Sequence, residues 1–189
     1  MNSFYSPEEL AQLGLRSYGE NVLISRYAHI YGAERISLGS NVRIDDMCVL
    51  SGSISLGSFC HIAPGSMLFG GVEGIVMEDY TGISSRCVIY ARSDDYTGEH
   101  MTNQVVPAKY TGVTGAQVRI GKHSIIGTGC TVLPGVQLAE GCSVGAMSLV
   151  NRSTEPWGIY LGIPARRVKD RKKDLLELCS QLEAELASK

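Results

Sequence analysis

The chain has 189 residues, one ordinary domain's length and enough to bury a continuous core. Lys and Arg total 17 against 19 for Asp and Glu, so the formal charge of −2 provides no basic footprint for nucleic acid or an anionic membrane. Glycine numbers 22 while Phe, Trp and Tyr number only 3, 1 and 9; interior glycine costs a helix about 1 kcal/mol each, which excludes a mainly helical bundle and indicates many turns around a core of small and aliphatic side chains.

No stretch approaches the roughly 18–20 apolar residues that span a bilayer, and the opening Met1 to Glu9 has neither a basic nor an apolar leader region, so a soluble cytoplasmic protein is expected. The first element is a short helix. Ser6-Pro7-Glu8-Glu9 combines an N-cap serine, proline at the first helical position and glutamate at the third, a capping box that predicts a helix to about Leu13.

From Tyr18 an aliphatic residue recurs every six positions: Leu38, Ile44, Leu50, Leu56, Ile62, Leu68, Met77, Ile83 and Ile89, then, after an interruption, Ile120, Ile126, Val132, Leu138, Val144 and Val150. Glycine often follows it (Gly39, Gly57, Gly121, Gly127, Gly145). Four places after it stands a small residue, among them Cys48, Cys60, Cys87, Cys130 and Cys142, which reads as a stack of small buried side chains rather than disulfides or metal ligands. A hexad is a short strand plus a turn, and three hexads close one coil of a parallel β-helix. The first and fifth positions point inward, so the sixth points outward, where chemistry is displayed.

Ser93 to Gln117 interrupts the period, and a polar loop of that length inside a compact domain marks an active site. After the last hexads, Leu175, Leu178, Leu182 and Leu186 line one face of a charged segment, the pattern of an amphipathic helix. The expected organisation is an N-terminal helical cap over 1–17, a β-helix over 18–165 with its loop at 93–117, and a C-terminal helix over 166–189.

Two segments, Ile120-Gly121-Lys122-His123-Ser124-Ile125-Ile126-Gly127-Thr128-Gly129-Cys130 and Gly158-Ile159-Tyr160-Leu161-Gly162-Ile163-Pro164-Ala165-Arg166, resemble the hexapeptide-repeat acyltransferases. The resemblance runs from about Tyr18 to Arg171 and is greatest to sugar O-acetyltransferases related to the galactoside and maltose enzymes. It implies an all-β solenoid, a left-handed parallel β-helix, assembled as a homotrimer with active sites between subunits. It also implies acetyl-CoA as acyl donor and O-acetylation of a sugar or of a polysaccharide or lipopolysaccharide precursor. The alternatives are N-acetylation of a nucleotide-linked amino sugar and a non-catalytic β-helical scaffold. In the galactoside and maltose enzymes a histidine base stands at the sixth position where the last regular coil enters the loop; here that position is Asp94.

Removal of a proton from a hydroxyl calls for a histidine, and there are four. His61, at an outward sixth position, is the first candidate base, oriented by Asp94 or Asp95 of a neighbouring subunit as in a His–Asp dyad. His100, inside the loop, is the second. His123 falls at a turn near the expected coenzyme groove, and His29 reads as structural or trimer-facing. Asp94 and Asp95 fit orienting a base, binding sugar hydroxyls or capping a turn, with Arg86 and Arg92 placed to balance their charge. Coenzyme A is expected on backbone groups at Gly127, Thr128, Gly145 and Ala146 and, in its nucleotide part, on Pro164, Arg166 and Arg167 within a basic cluster. No metal is expected: β-helical carbonic anhydrases need paired histidines on one coil, and His123 has no such partner nearby.

Overall fold

The structure, a computed structural model, describes residues 3–188. Met1 and Asn2 of the expected cap 1–17, and Lys189 of the expected helix 166–189, lie outside the described residues. Helix α1, Pro7–Gln12, opens it with the capping box in place: the Ser6 hydroxyl accepts from the Glu9 amide, and the Glu9 carboxylate accepts from the Ser6 amide at 2.7 Å.

The chain then winds as a parallel β-solenoid, the left-handed β-helix of hexapeptide repeats. The first face carries Ser17–Tyr18, Ile36–Leu38, Val118–Ile120 and Gln137–Leu138. The second carries Leu23–Ile24, Arg43–Ile44, His61–Ile62, Gly82–Ile83, Ile125–Ile126, Ser143–Val144 and Gly158–Gly162, and the third His29–Tyr31, Val88–Tyr90, Thr131–Val132 and Leu149–Val150. Two longer strands, Val49–Leu56 and Met67–Met77, turn the corner from the third face to the first and serve both. Pairing is in hexad register. Ile24, Ile44, Ile62, Ile83, Ile126 and Val144 form one column on the second face, and none is more than 2 % exposed.

Two slots set the stacking. A Cβ at Gly121 would stand 2.7 Å from the Glu140 amide nitrogen, and one at Gly127 would stand 2.6 Å from that of Ala146, so the second slot is glycine because the next coil's backbone fills the space. In the fifth slot the small side chain reaches across to the second-slot carbonyl of the next coil: Cys60 Sγ to Glu78 O at 3.3 Å, Ser66 Oγ to Ser84 O at 3.0 Å, Cys87 Sγ to Gly127 O at 3.0 Å and Ser124 Oγ to Ala139 O at 3.1 Å. Burial pushes the Cys60 and Cys48 thiols up, so both stay protonated and able to donate. All six cysteines are free.

The C-terminal end differs from expectation. Residues 166–189 do not form one helix: Gly158–Gly162 turns back into an antiparallel strand, Ala165–Asp170, and helix α2 spans Leu175–Ala187. A solenoid's last coil leaves a row of unpaired backbone groups, and an antiparallel strand bearing Arg166, Arg167 and Lys169 satisfies that row while presenting a charged outer edge. Helix α2 has no buried residue, and Leu178, Leu182 and Leu186 are exposed on it. It is tied back through Glu183, which accepts from the Tyr80 hydroxyl at 3.2 Å and lies 3.6 Å from Lys122 Nζ. The interruption is ordered as well. Arg92–Ser93 pairs antiparallel with Thr114–Gly115 and closes the base of the loop, which also contains a 3-10 turn at Ala108–Tyr110.

Gly121→Val is therefore expected to destabilise the protein by about 1–3 kcal/mol through overpacking, read as a lowered denaturation midpoint. Cys60→Ser, which keeps a donor of the kind found at Ser66 and Ser124, is expected to change it far less.

Candidate active site

A cavity of about 950 Å³ opens where the chain leaves the third face for the inserted loop. Phe69 and Tyr90, in-register neighbours on that face, wall it with rings stacked at 5.3 Å. Arg92 and Asp94 come from the first residues of the insertion and Tyr96 from further along it. No histidine lines this cavity. Asp94 is half-buried; its Oδ2 accepts from the Asn103 amide at 3.3 Å, and its Oδ1 has no partner among the described residues. A carboxylate held by one oxygen and free at the other suits a cationic or hydrogen-bond-donating ligand.

Its neighbour Asp95 has a different job. Oδ1 accepts from the Thr97 hydroxyl and amide, each at 2.7 Å, and Oδ2 from the His100 amide at 2.7 Å. These bonds, those of Thr97 first, hold the Asp95 carboxyl down at about 2. The His100 ring lies 3.4 Å from the same carboxylate, is half exposed, and takes the space that a side chain at Gly112 would need. Asp95 and His100 thus staple the loop to itself, and neither lines the cavity with Asp94.

His61 stands on the second face, away from Asp94. The pairing with Asp94 or Asp95 is expected from a neighbouring subunit; within the chain, His61 Nε2 is 2.8 Å from Asp45 Oδ2, and Arg43 Nε is 2.7 Å from Asp45 Oδ1. The cause is the register. Arg43 and His61 are in-register partners in successive coils, and Asp45, two residues beyond Arg43, lies alongside both. Burial of Asp45 works to raise its pKa, but the hydrogen bonds from His61 and Arg43 outweigh it and the net shift is downward. His61 also borders a smaller cavity, about 280 Å³, together with Ala63, Ser84, Ser85 and Thr128. Ser84 was not singled out from sequence. It occupies the second slot, directly between Ala63 and Gly127 in the stack, and is the member of that stretch that offers a hydroxyl to the cavity.

Among the positions expected to hold coenzyme A, Thr128 lines this smaller cavity. The Ala146 backbone presses on Gly127 from the next coil and Gly145 lies under Leu161, so both glycines have a packing reason for their small size, while Ala146 is exposed. Pro164 sits in the turn to the closing strand, Arg166 is exposed, and Arg167 pairs with Asp170 at 2.8 Å. Arg171, four residues beyond Arg167, is turned inward and donates to the carbonyls of His123 at 2.6 Å and Gly141 at 3.1 Å. His123 is also structural. It is buried, stacked on Tyr80 at 5.2 Å and tilted against Trp157 at 6.4 Å, and burial, then the Lys122 charge, lowers its pKa. His29 is exposed on the third face beside Tyr31. Among the described residues no group of three or more His, Cys, Asp or Glu is placed to hold a metal ion, and no helix is long and apolar enough to cross a membrane.

A solenoid of three hexad faces with a cavity on its one long insertion defines the hexapeptide-repeat transferases. The family model for bacterial transferase hexapeptide (six repeats) matches residues 117–152. A dTDP-4-amino-4,6-dideoxy-D-glucose acyltransferase of Escherichia coli is 46 % identical over 173 residues, 90 % of each chain. AntD, an N-acyltransferase from Bacillus cereus solved with dTDP and 3-hydroxybutyryl-CoA, is 45 % identical with a TM-score of 0.97, covering 99 % of this chain and all of that one. Its solved structures include S84A and D94N variants, and this chain carries Ser84 and Asp94 under the same numbers. A maltose O-acetyltransferase from Clostridium difficile shares the fold at 19 % identity and a TM-score of 0.52. The chain belongs to the hexapeptide-repeat acyltransferases and is itself an acyltransferase, which sets the scaffold alternative aside. The expected O-acetylation of a sugar is corrected by two of these similarities: the relatives at 45–46 % identity are an acyltransferase named for dTDP-4-amino-4,6-dideoxy-D-glucose and an N-acyltransferase solved with that class of amino sugar.

Because Asp95 is depressed from 3.8 to about 2 in the folded loop, its stabilising effect is complete above about pH 4 and is lost as the pH falls through 2. Amide exchange at Thr97 and His100 is expected to be slow at about pH 5, to lose protection toward about pH 2, and to be unprotected at both in Asp95→Asn.

Proposed function

We propose that the protein transfers an acyl group from a coenzyme A thioester to the 4-amino group of a dTDP-linked 4-amino-4,6-dideoxyhexose. The observation that carries this reading is Asp94: a carboxylate with one free oxygen, and no histidine, in the 950 Å³ cavity of a chain similar over nearly its full length to an N-acyltransferase solved with that sugar class. A hydroxyl must lose its proton as it attacks, which calls for an imidazole-strength base. A neutral amine attacks with its own lone pair. After attack the nitrogen carries a positive charge, and that proton is acidic enough for a carboxylate to take.

Asp94 holds the ammonium form by charge as the sugar enters, and the ammonium releases one proton to water to become the neutral amine. The amine nitrogen then bonds to the thioester carbonyl, Asp94 accepts the second proton from nitrogen, the C–S bond breaks, and that proton passes to the departing sulfur, which leaves as coenzyme A thiol. Ser84 is assigned to the acyl donor's side, where its hydroxyl is available in the smaller cavity with Thr128; His61, held by Asp45, is part of that cavity's wall. Gly127, Gly145, Ala146, Pro164, Arg166 and Arg167 remain the proposed border of the coenzyme site, with Arg166 the exposed cation for its phosphates. The bounds 18–165 for the β-helix and 93–117 for its loop are retained in this reading.

The two cavities lie on different faces of one subunit, so their chemistry meets only in an assembly. A homotrimer joins the second face of one subunit to the third of the next. Support comes from exposed apolar side chains in one corner column between those faces: Tyr27, Met47 and Met147, each more than 60 % exposed.

The test is acyl transfer from acetyl-CoA and longer acyl-CoAs to the dTDP-4-amino sugar and to its 4-hydroxy counterpart, read by mass. Transfer to the amine alone is expected, and transfer to the hydroxyl sugar alone would overturn the reading. Asp94→Asn is expected to lower kcat/KM by about 100-fold or more, and Ser84→Ala to act mainly through the acyl donor. His100→Ala is expected to leave turnover near the parent rate, and light scattering to report three times the chain mass.

A further inference from the structure

The acceptor's diphosphate carries more charge than any other part of it, and a single cation, Arg92, lines the cavity that holds Asp94. That cation is built in. Its Nε lies 3.3 Å from Glu73 Oε1, a carboxylate only 20 % exposed, while its terminal nitrogens have no partner among the described residues. Space for the pair is made by two glycines. A Cβ at Gly71 would overlap Arg92 Cδ, and one at Gly115, on the strand opposite Arg92, would overlap the Glu73 carboxylate. Glu73 itself is carried on the corner-turning strand Met67–Met77 next to Val72, whose amide also donates to its Oε2 at 3.2 Å.

Spacing adds a second argument. Arg92 and Asp94 are two residues apart as the chain leaves a strand, which puts their backbone positions about 6–7 Å apart and their side chains on one side. The substrate proposed above is dipolar in the same sense. Its ring carries a diphosphate at the anomeric carbon and an ammonium across the ring at C4, so it calls for opposite charges at two points of one cavity, which Arg92 and Asp94 supply.

We propose that Arg92, braced by Glu73, binds the diphosphate of the nucleotide sugar and thereby places the 4-amino group at Asp94. This inference rests on the substrate reading given above and names how that substrate is oriented. The guanidinium has five donors in a planar fork. With Nε committed to Glu73, both terminal nitrogens are left for phosphate oxygens, in the paired geometry that arginine makes with such groups. A substrate entering reversed would set diphosphate against Asp94 and ammonium against Arg92, so charge alone selects the productive direction. Phe69 and Tyr90, on the third face beside this pair, offer ring faces for the pyrimidine. Arg92 is a binding residue in this scheme and Glu73 a positioning residue.

The experiment is calorimetric titration with dTDP alone, alongside steady-state kinetics with both substrates, for the parent protein, Arg92→Gln, Arg92→Lys and Glu73→Gln. Arg92→Gln is expected to weaken dTDP binding, and to raise KM for the nucleotide sugar, by about tenfold or more, the usual effect of losing charge-assisted hydrogen bonds. KM for the acyl-CoA is expected to stay within about twofold, which also reports that the fold is intact. Arg92→Lys should recover part of the loss, because it restores charge but not the fork. Glu73→Gln should raise the nucleotide-sugar KM with kcat held. If the parent binds dTDP and Arg92→Gln binds it equally well, this inference is wrong while the acyl-transfer reading stands. If the parent does not bind dTDP, both fall together.

Discussion

The distance between successive coils governs this molecule. Neighbouring strands lie about 4.8 Å apart, and the solenoid imposes that spacing at its corners as well as on its faces. Corners have no room for a Cβ where one coil's turn crosses the next, which is why Gly39, Gly121 and Gly127 are glycine although none needs a positive φ. The same closeness brings each fifth-slot side chain within reach of a carbonyl one coil away. Cysteine, serine and threonine suit that slot because they are small, buried and able to donate. Aliphatic columns supply the hydrophobic drive, and these cross-coil bonds satisfy corner carbonyls that burial would otherwise leave unpaired.

A solenoid built to that spacing has no interior for chemistry. Function must sit on outward sixth positions, on corners, or on chain that leaves the repeat. All three are used here: His61 at a sixth position, Ser84 at a corner, and Arg92 and Asp94 where the insertion departs. The stacking also positions them. Ser66 holds the Ser84 carbonyl from below, which fixes the turn and leaves the Ser84 hydroxyl on the cavity side. The antiparallel closure of Arg92–Ser93 on Thr114–Gly115 gives the insertion a rigid root, and the Asp95 carboxylate organises its tip through Thr97 and His100.

Much of this was legible in the residues because the hexad is a local rule: each coil repeats the same demands every eighteen positions. The cysteine slot, the capping box and the site of the insertion could all be read. So could the Asp45 partner of His61 have been, since Arg43 and His61 stand eighteen apart and therefore stack. What could not be read is what depends on unequal coils. Phe59, Tyr80, His123 and Trp157 form one column of rings, yet their spacings differ because insertions intervene, so spacing alone places His123 at a groove and not as a buried ring. The closing strand Ala165–Asp170 was equally hidden. Its charged sequence suits an exposed helix or an edge strand, and only the unpaired last coil decides between them.

Asp94 marks the acceptor. In the galactoside and maltose enzymes that the chain resembles, histidine stands at this position, and for a hydroxyl acceptor its replacement would demand a base from elsewhere. An amine changes the requirement, since nitrogen brings its own lone pair and needs charge complementarity on approach and a modest base after attack. A carboxylate meets both needs; an imidazole, cationic in part near neutral pH, would repel an ammonium. On the proposed reading, the exchange of histidine for aspartate is the change of acceptor itself. Arg92, two residues earlier and held by Glu73, supplies the opposite charge that a nucleotide-linked amine, unlike a free sugar, presents at its other end.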